Sequence, residues 1–137
     1  MFLLDTVVIS ELRKRRPARS VVGWIGSQDE GGLFLSVVTV GEIQRGIAGK
    51  RKSEPAFADE LARWLDSLLR FYGDRILPMN AEIARLWGDL SWQAGHSGAD
   101  LLIAATALHH RLTVVTRNVR HFEPLGVSLF NPFHRAS

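Results

Sequence analysis

Short unbroken apolar runs alternate along this chain with longer stretches whose apolar residues recur every three or four positions. The first pattern suits strands buried on both faces, and the second suits helices with one face against a core. Phe2–Asp5 reads as strand one, and Thr6-Val7-Val8-Ile9-Ser10-Glu11-Leu12 begins a helix that runs to about Lys14. Pro17 marks a break before a second helix through Trp24 and Ile25. Glu30-Gly31-Gly32 reads as a loop and Leu33–Val37 as strand two. The next helix begins near Val40 and ends between Gly46 and Gly49. Ser53 is placed to cap a long helix over 54–72, where Phe57, Leu61, Trp64, Leu65, Leu68 and Leu69 make one stripe that Gly73 stops. Residues 75–77 form a short strand ended by Pro78. Asn80 caps a helix with Ile83, Leu86, Trp87 and Leu90 on one face. Gly95 and Gly98 separate it from the helix that carries Asp100 and Ile103. Residues 113–116 form a further strand and, after a turn, 128–130 the last.

Strands that alternate with helices predict an α/β sandwich with a mainly parallel central sheet flanked by helices, because parallel neighbours need crossover connections. The chain shows no linker, repeat or low-complexity stretch, and its 137 residues predict one domain over 1–137 with a sizeable core.

The polar residues that interrupt this pattern fall at element ends. Asp5 stands where strand one hands over to a helix. Glu42 closes Thr39-Val40-Gly41-Glu42 just after strand two. Asp100 heads Asp100-Leu-Leu-Ile-Ala-Ala-Thr-Ala107, and Asn118 follows the strand over 113–116. Open α/β sheets bind ligands at such strand ends. Each acid also has a structural reading. Asp5 could be an N-cap, Thr39–Glu42 is a literal capping box, and Ser97–Asp100 is a weaker one. Caps alone do not explain why acids gather at the strand ends of one α/β unit. A shared pocket does, since hard cations such as Mg²⁺ bind carboxylate oxygens and keep waters for a phosphate. Such an ion activates water and stabilises charge on phosphate.

Composition narrows the partners. The chain is 46% hydrophobic and 23% charged, as soluble globular proteins are. No apolar run reaches membrane-spanning length, and the N-terminus lacks signal-peptide features, so a cytoplasmic location is expected. The absence of cysteine excludes disulfides, thiolate metal sites and a cysteine nucleophile. The net charge of +3 favours a polyanionic or acidic partner. Arg13-Lys14-Arg15-Arg16 with Arg19, and Lys50-Arg51-Lys52, hold 8 of the 17 basic residues and contain no acid. They read either as solvated loops or as contacts for RNA or a protein partner.

Met1–Leu12, Ser36–Ile43 with Gly46-Ile47, Asp100–Ala107 and Val115-Thr116-Arg117-Asn118, together with Leu86-Trp87-Gly88 and Phe130-Asn131-Pro132-Phe133, resemble the PIN domain. The likeness is strongest to VapC/FitB-type toxins of bacterial toxin–antitoxin pairs and covers essentially the whole chain. It implies a PIN-like three-layer sandwich and an endoribonuclease dependent on Mg²⁺ or Mn²⁺. It also implies a small VapB/FitA-like antitoxin that blocks the site, and a homodimer that joins larger assemblies. The family's acids map onto Asp5, Glu42 and Asp100, and its fourth position onto Asn118. Asp5 and Asp100 are then the metal ligands. Glu42 orients or deprotonates the attacking water, Asn118 positions water or phosphate, and Arg13 or Arg117 holds the RNA backbone.

Two positions depart from the family's pattern. Val7 stands where an asparagine is usual, and His121 stands where an acid is frequent. Val7 removes a hydrogen-bonding amide beside Asp5, which predicts weaker activity unless Ser10 or Thr116 supplies the contact or Val7 is packed core. A binding module that acts through antitoxin pairing and operator repression is the competing reading, and a DNA-directed nuclease of similar fold is another. Ser10, Ser36 and Thr116 read as hydrogen-bond support for the acids. His96 reads as a loop residue, His109 and His110 as a solvated helix end, and Trp64 and Trp87 as core.

Overall fold

The computed structural model describes residues 1–133. Five parallel strands form the sheet: β1 (Phe2–Leu4), β2 (Leu33–Ser36), β3 (Ile76–Leu77), β4 (Thr113–Val115) and β5 (Leu129–Phe130). Their order is β3-β2-β1-β4-β5. The chain's first strand is therefore the central one. Phe2 pairs with Leu33 on one side and with Thr113 on the other.

Side chains alternate across a strand, so the sheet has two apolar faces to cover. Leu4, Leu33, Leu35 and Val115 face one layer, built by α1 (Thr6–Arg13), α2 (Arg19–Ser27), α3 (Val37–Lys50) and α4 (Pro55–Tyr72). Val8, Ile9, Val21, Ile43, Ile47 and Leu65 fill it. Leu3, Phe34 and Val114 face the other layer, built by α5 (Ala81–Ala94), α6 (Ala99–His110) and α7 (Val119–Phe122). Ile103, Ala104, Ala107 and Phe122 are buried there. This is the expected three-layer sandwich. In α6 the six residues Leu101, Ile103, Ala104, Ala105, Thr106 and Ala107 are all buried, so the helix has no polar stripe along its middle. Thr106 is accommodated because its hydroxyl donates to the Leu102 carbonyl at 2.9 Å.

The helix starts differ from the sequence pattern in two places. Ser36 Oγ accepts the Val38 amide at 3.0 Å, so α3 begins at Val37, three residues earlier than expected. Thr39 is then inside the helix, and the Thr39–Glu42 capping box does not form. Ser53 lies outside α4, whose cap position is Glu54 with no side-chain bond. Pro55 sets that start, because its fixed φ suits the first turn and its missing N–H leaves no orphan donor. Asn80 does cap α5, accepting the Ile83 amide at 2.8 Å. The turn expected after β4 contains α7, four residues that are too few to show a period but are anchored by Phe122.

Arg75 ties the sheet edge to its helices. Its guanidinium donates to the Leu33 carbonyl at 3.0 Å and the Phe71 carbonyl at 3.0 Å, and also to the Glu30 carbonyl. It lies over the Tyr72 ring, 4.8 Å from the centroid.

Asn80 and Ser53 have different expected sensitivities. Asn80→Ala should lower unfolding free energy by about 1 kcal/mol in urea titrations. Ser53→Ala, on an exposed residue that caps nothing, should stay within about 0.5 kcal/mol of the parent. An equal loss at both positions would contradict these helix boundaries.

Candidate active site

The chain leaves β1 through α1 and α2 to reach β2 on one side, and returns through α6 to β4 on the other. Connections diverge at such a reversal and leave a crevice beyond the carboxyl ends of the strands. Asp5 follows β1, Ser36 ends β2 and Thr116 follows β4 at this edge.

Asp5 is buried, only 4% exposed. One carboxylate oxygen accepts the Thr6 amide at 2.8 Å, which makes Asp5 the N-cap of α1. The other accepts the Thr116 hydroxyl at 2.8 Å. That hydroxyl also accepts the Asn118 amide at 2.9 Å, so one oxygen links Asp5 to the start of α7. The capping and pocket readings of Asp5 therefore hold together. Burial raises the Asp5 carboxyl from 3.8 to about 6; the Thr116 and Thr6 bonds oppose the rise, while the charges of Asp100 and Glu42 add to it. Both acids thus lie close enough to act on Asp5 electrostatically.

Glu42 is exposed on α3 and turned toward α1, where its carboxylate accepts the Thr6 hydroxyl. Thr6 is also 2.9 Å from the buried Thr39 hydroxyl. A hydroxyl has one proton and two lone pairs. Thr6 gives its proton to the carboxylate and receives the one from Thr39. The early start of α3 frees Thr39 and Glu42 for this network.

Asp100 sits in the first turn of α6, where one oxygen is 3.1 Å from His121 Nδ1. Ser97 makes no cap bond to it; Gly98 occupies the cap position, and its amide donates to His96 Nδ1 at 3.2 Å. Asn118 is exposed at the N-cap position of α7 with no side-chain cap bond. It lines a cavity of about 540 Å³ with Arg117, Val119, Arg120, His121 and Asn131.

Among the described residues, no three His, Asp or Glu groups stand together as a ready-made metal cage. The donor set is nonetheless hard carboxylate oxygen: a buried acid, Asp5, whose charge burial disfavours and the charges of Asp100 and Glu42 disfavour further. Such a site fits a cation that keeps most of its own water.

The supporting residues divide. Thr116 holds Asp5 as expected, Ser36 caps α3 instead, and Ser10 lines a groove with Thr6, Arg13, Glu42 and Phe57. Val7 is half-buried and packs on the first-layer core, while Thr6 and Thr116 already occupy both Asp5 oxygens. Trp64 is half-buried against the core. Trp87 is half-buried with its indole N–H enclosed and unbonded. His109 lies 3.4 Å from Glu82 on α5. The pairing of Thr6 with Glu42 and of His121 with Asp100 was not anticipated. Thr6, directly after Asp5, was the one local hint.

The sequence profile of the PIN domain matches residues 2–125. The chain is a PIN-domain protein. It is 39% identical to VapC ribonuclease Y4jK of Sinorhizobium fredii over 99% of this chain and 100% of that protein. It is 37% identical to toxin FitB of Neisseria gonorrhoeae over 98% and 99% of the two chains. The crystal structure of FitAcB from the same species superposes with a TM-score of 0.86 at 35% identity, covering 98% of this chain and 100% of that one. The PIN likeness inferred from Met1–Leu12, Ser36–Ile43 and Asp100–Ala107 is thereby established over nearly the whole length, and with it the likeness to VapC and FitB.

The raised Asp5 carboxyl gives this PIN domain a pH signature. The folded chain holds the Asp5 proton more tightly than the unfolded chain does. Stability from this group is therefore full below about pH 4 and is lost as pH rises toward 6. The loss at neutral pH is about 3 kcal/mol. Asp5→Asn should raise the melting temperature at pH 7 in chelator and leave it nearly unchanged at pH 4. A variant that melts lower at pH 7 would show that Asp5 is not a strained carboxylate.

Proposed function

We propose that this chain is the toxin of a toxin–antitoxin pair and cuts RNA as a Mg²⁺- or Mn²⁺-dependent endoribonuclease. The observation that carries the reading is the buried Asp5 carboxylate, fixed by the Thr6 amide and the Thr116 hydroxyl at the reversal point of the sheet. A PIN domain with relatives named as a VapC ribonuclease and a FitB toxin makes nuclease chemistry the use for that cluster.

Asp5 and Asp100 are the residues that would hold the ion. The ion, when bound, supplies an activated water and offsets the charge of the phosphate under attack. Thr6 and Thr116 fix the Asp5 carboxylate, so its orientation is set before any ligand arrives. Glu42, steadied by the Thr6 hydroxyl, orients the attacking water and accepts its proton. Asn118 offers its amide to water or to a phosphate oxygen. His121 holds one Asp100 oxygen and leaves the other for the site.

The partner is a small VapB/FitA-like antitoxin. The groove lined by Arg13, Glu42, Ile43, Phe57 and Leu61 has apolar walls for a helix and includes Glu42 of the acidic set. A basic side chain from that partner enters the pocket and excludes the cation. The functional unit is a homodimer that joins a larger toxin–antitoxin assembly in the cytoplasm. No described helix is long and apolar enough to cross a membrane.

Purified chain incubated with RNA should cut it only with Mg²⁺ or Mn²⁺ and leave 5′-phosphate ends. Asp5→Asn and Asp100→Asn should bring cleavage to background with circular dichroism unchanged. Full activity in excess EDTA would overturn the metal-assisted reading. The partner is tested apart from the chemistry, by expression alone and by pull-down from the source cells. Growth arrest and a co-purifying small protein are expected; neither appearing would remove the toxin assignment.

A further inference from the structure

We infer that Arg117 and Arg120, with the side-chain amides of Asn118 and Asn131, bind an RNA phosphate next to the one being cut. The inference rests on the ribonuclease reading and adds a substrate-holding subsite to it. The cavity of about 540 Å³ that these residues line contains no carboxylate. It shares Arg120 and His121 with a second cavity of about 430 Å³ that reaches Asp100. A strand with its scissile phosphate at Asp100 therefore has basic ground beside it.

Arg117 is already oriented. Its guanidinium lies 4.1 Å from the centroid of the Phe133 ring. Phe133 is held in turn by its amide, which donates to Asn131 Oδ1 at 2.9 Å. Stacking uses the face of a guanidinium and leaves its N–H edge for phosphate oxygens. With Asn131 Oδ1 engaged, its remaining polar group is the donor NH₂. Arg120 is exposed. Neither arginine forms an ion pair among the described residues, whereas Lys14, Lys50 and Arg51, from the basic clusters prominent in the sequence, are paired with Glu11, Glu54 and Asp59. Arg13 stacks over Phe57. The acids of the pocket repel RNA, and these two unpaired charges are placed to offset that repulsion at its border.

The test is binding of a fluorescent single-stranded RNA oligonucleotide to the full chain by anisotropy, in EDTA, across a range of salt. Each phosphate contact contributes about 0.7 to the slope of log K against log salt for a single strand. Arg117→Gln and Arg120→Gln should each make the slope shallower by about 0.7 and weaken binding severalfold at moderate salt. Arg117→Lys should keep the slope, and Arg70→Gln on α4 should match the parent. Arg120→Gln disturbs no packing, so it decides the question even if Arg117→Gln unfolds. If the parent chain binds and cuts RNA while Arg120→Gln keeps the full slope, the subsite is wrong and the ribonuclease reading stands. If the parent neither binds nor cuts RNA, the ribonuclease reading is wrong and the subsite goes with it.

Discussion

The hydrogen bond from the Thr116 hydroxyl to the Asp5 carboxylate, 111 residues apart in the chain, is the contact on which the site depends. It crosses between the ends of β1 and β4, where the sheet changes direction, and it is buried. A carboxylate at that place without donors would be badly desolvated. With the Thr116 hydroxyl on one oxygen and the Thr6 amide on the other, the group stays in place although burial and two neighbouring acids disfavour its charge. The same hydroxyl receives the Asn118 amide, so the chain turns into α7 around the atom that fixes Asp5. α7 then brings Arg120 and His121 to the border of the pocket. One threonine thus positions both the acidic interior and its basic edge.

Much of this was legible in the sequence because fold and site use the same residues. The apolar runs of β1, β2 and β4 and the stripe of α4 report burial directly, and they predict the parallel sheet with helices on both faces. Asp5, Glu42 and Asp100 were visible as acids at element ends, since a carboxylate beside a buried strand contrasts with everything around it. What was missed depends on where a helix begins. Thr39 and Glu42 match a capping box letter for letter, but Ser36 takes the cap three residues earlier. That shift turns Thr39 and Glu42 toward α1, which no local pattern reveals. Ser53 fails for a related reason: Pro55 fixes the first turn of α4 without it. α7 is too short for periodicity and exists because Phe122 reaches the core.

Charge was the least legible feature. Runs such as Arg13–Arg16 and Lys50–Lys52 attract attention in a linear sequence. In the fold several of their members are satisfied by nearby acids or by an aromatic ring. Arg117 and Arg120, separated by two residues and inconspicuous in composition, are the ones set in a concavity beside the acids. Val7 is similar. Read alone it is a lost hydrogen bond, but Thr6 and Thr116 each hold one Asp5 oxygen, and the valine packs on the core.

The central position of β1 has a consequence for the timing of synthesis. Of the five strands β1 leaves the ribosome first, yet one of its edges stays open until residues 113–115 arrive to form β4. Pairing across so long a separation is slow and late, because the intervening loop must close first. Asp5 meets Thr116 only at that late step. A nascent chain can carry every helix of the first layer and still have no fixed carboxylate, so the pocket assembles only after β4 and Thr116 have emerged.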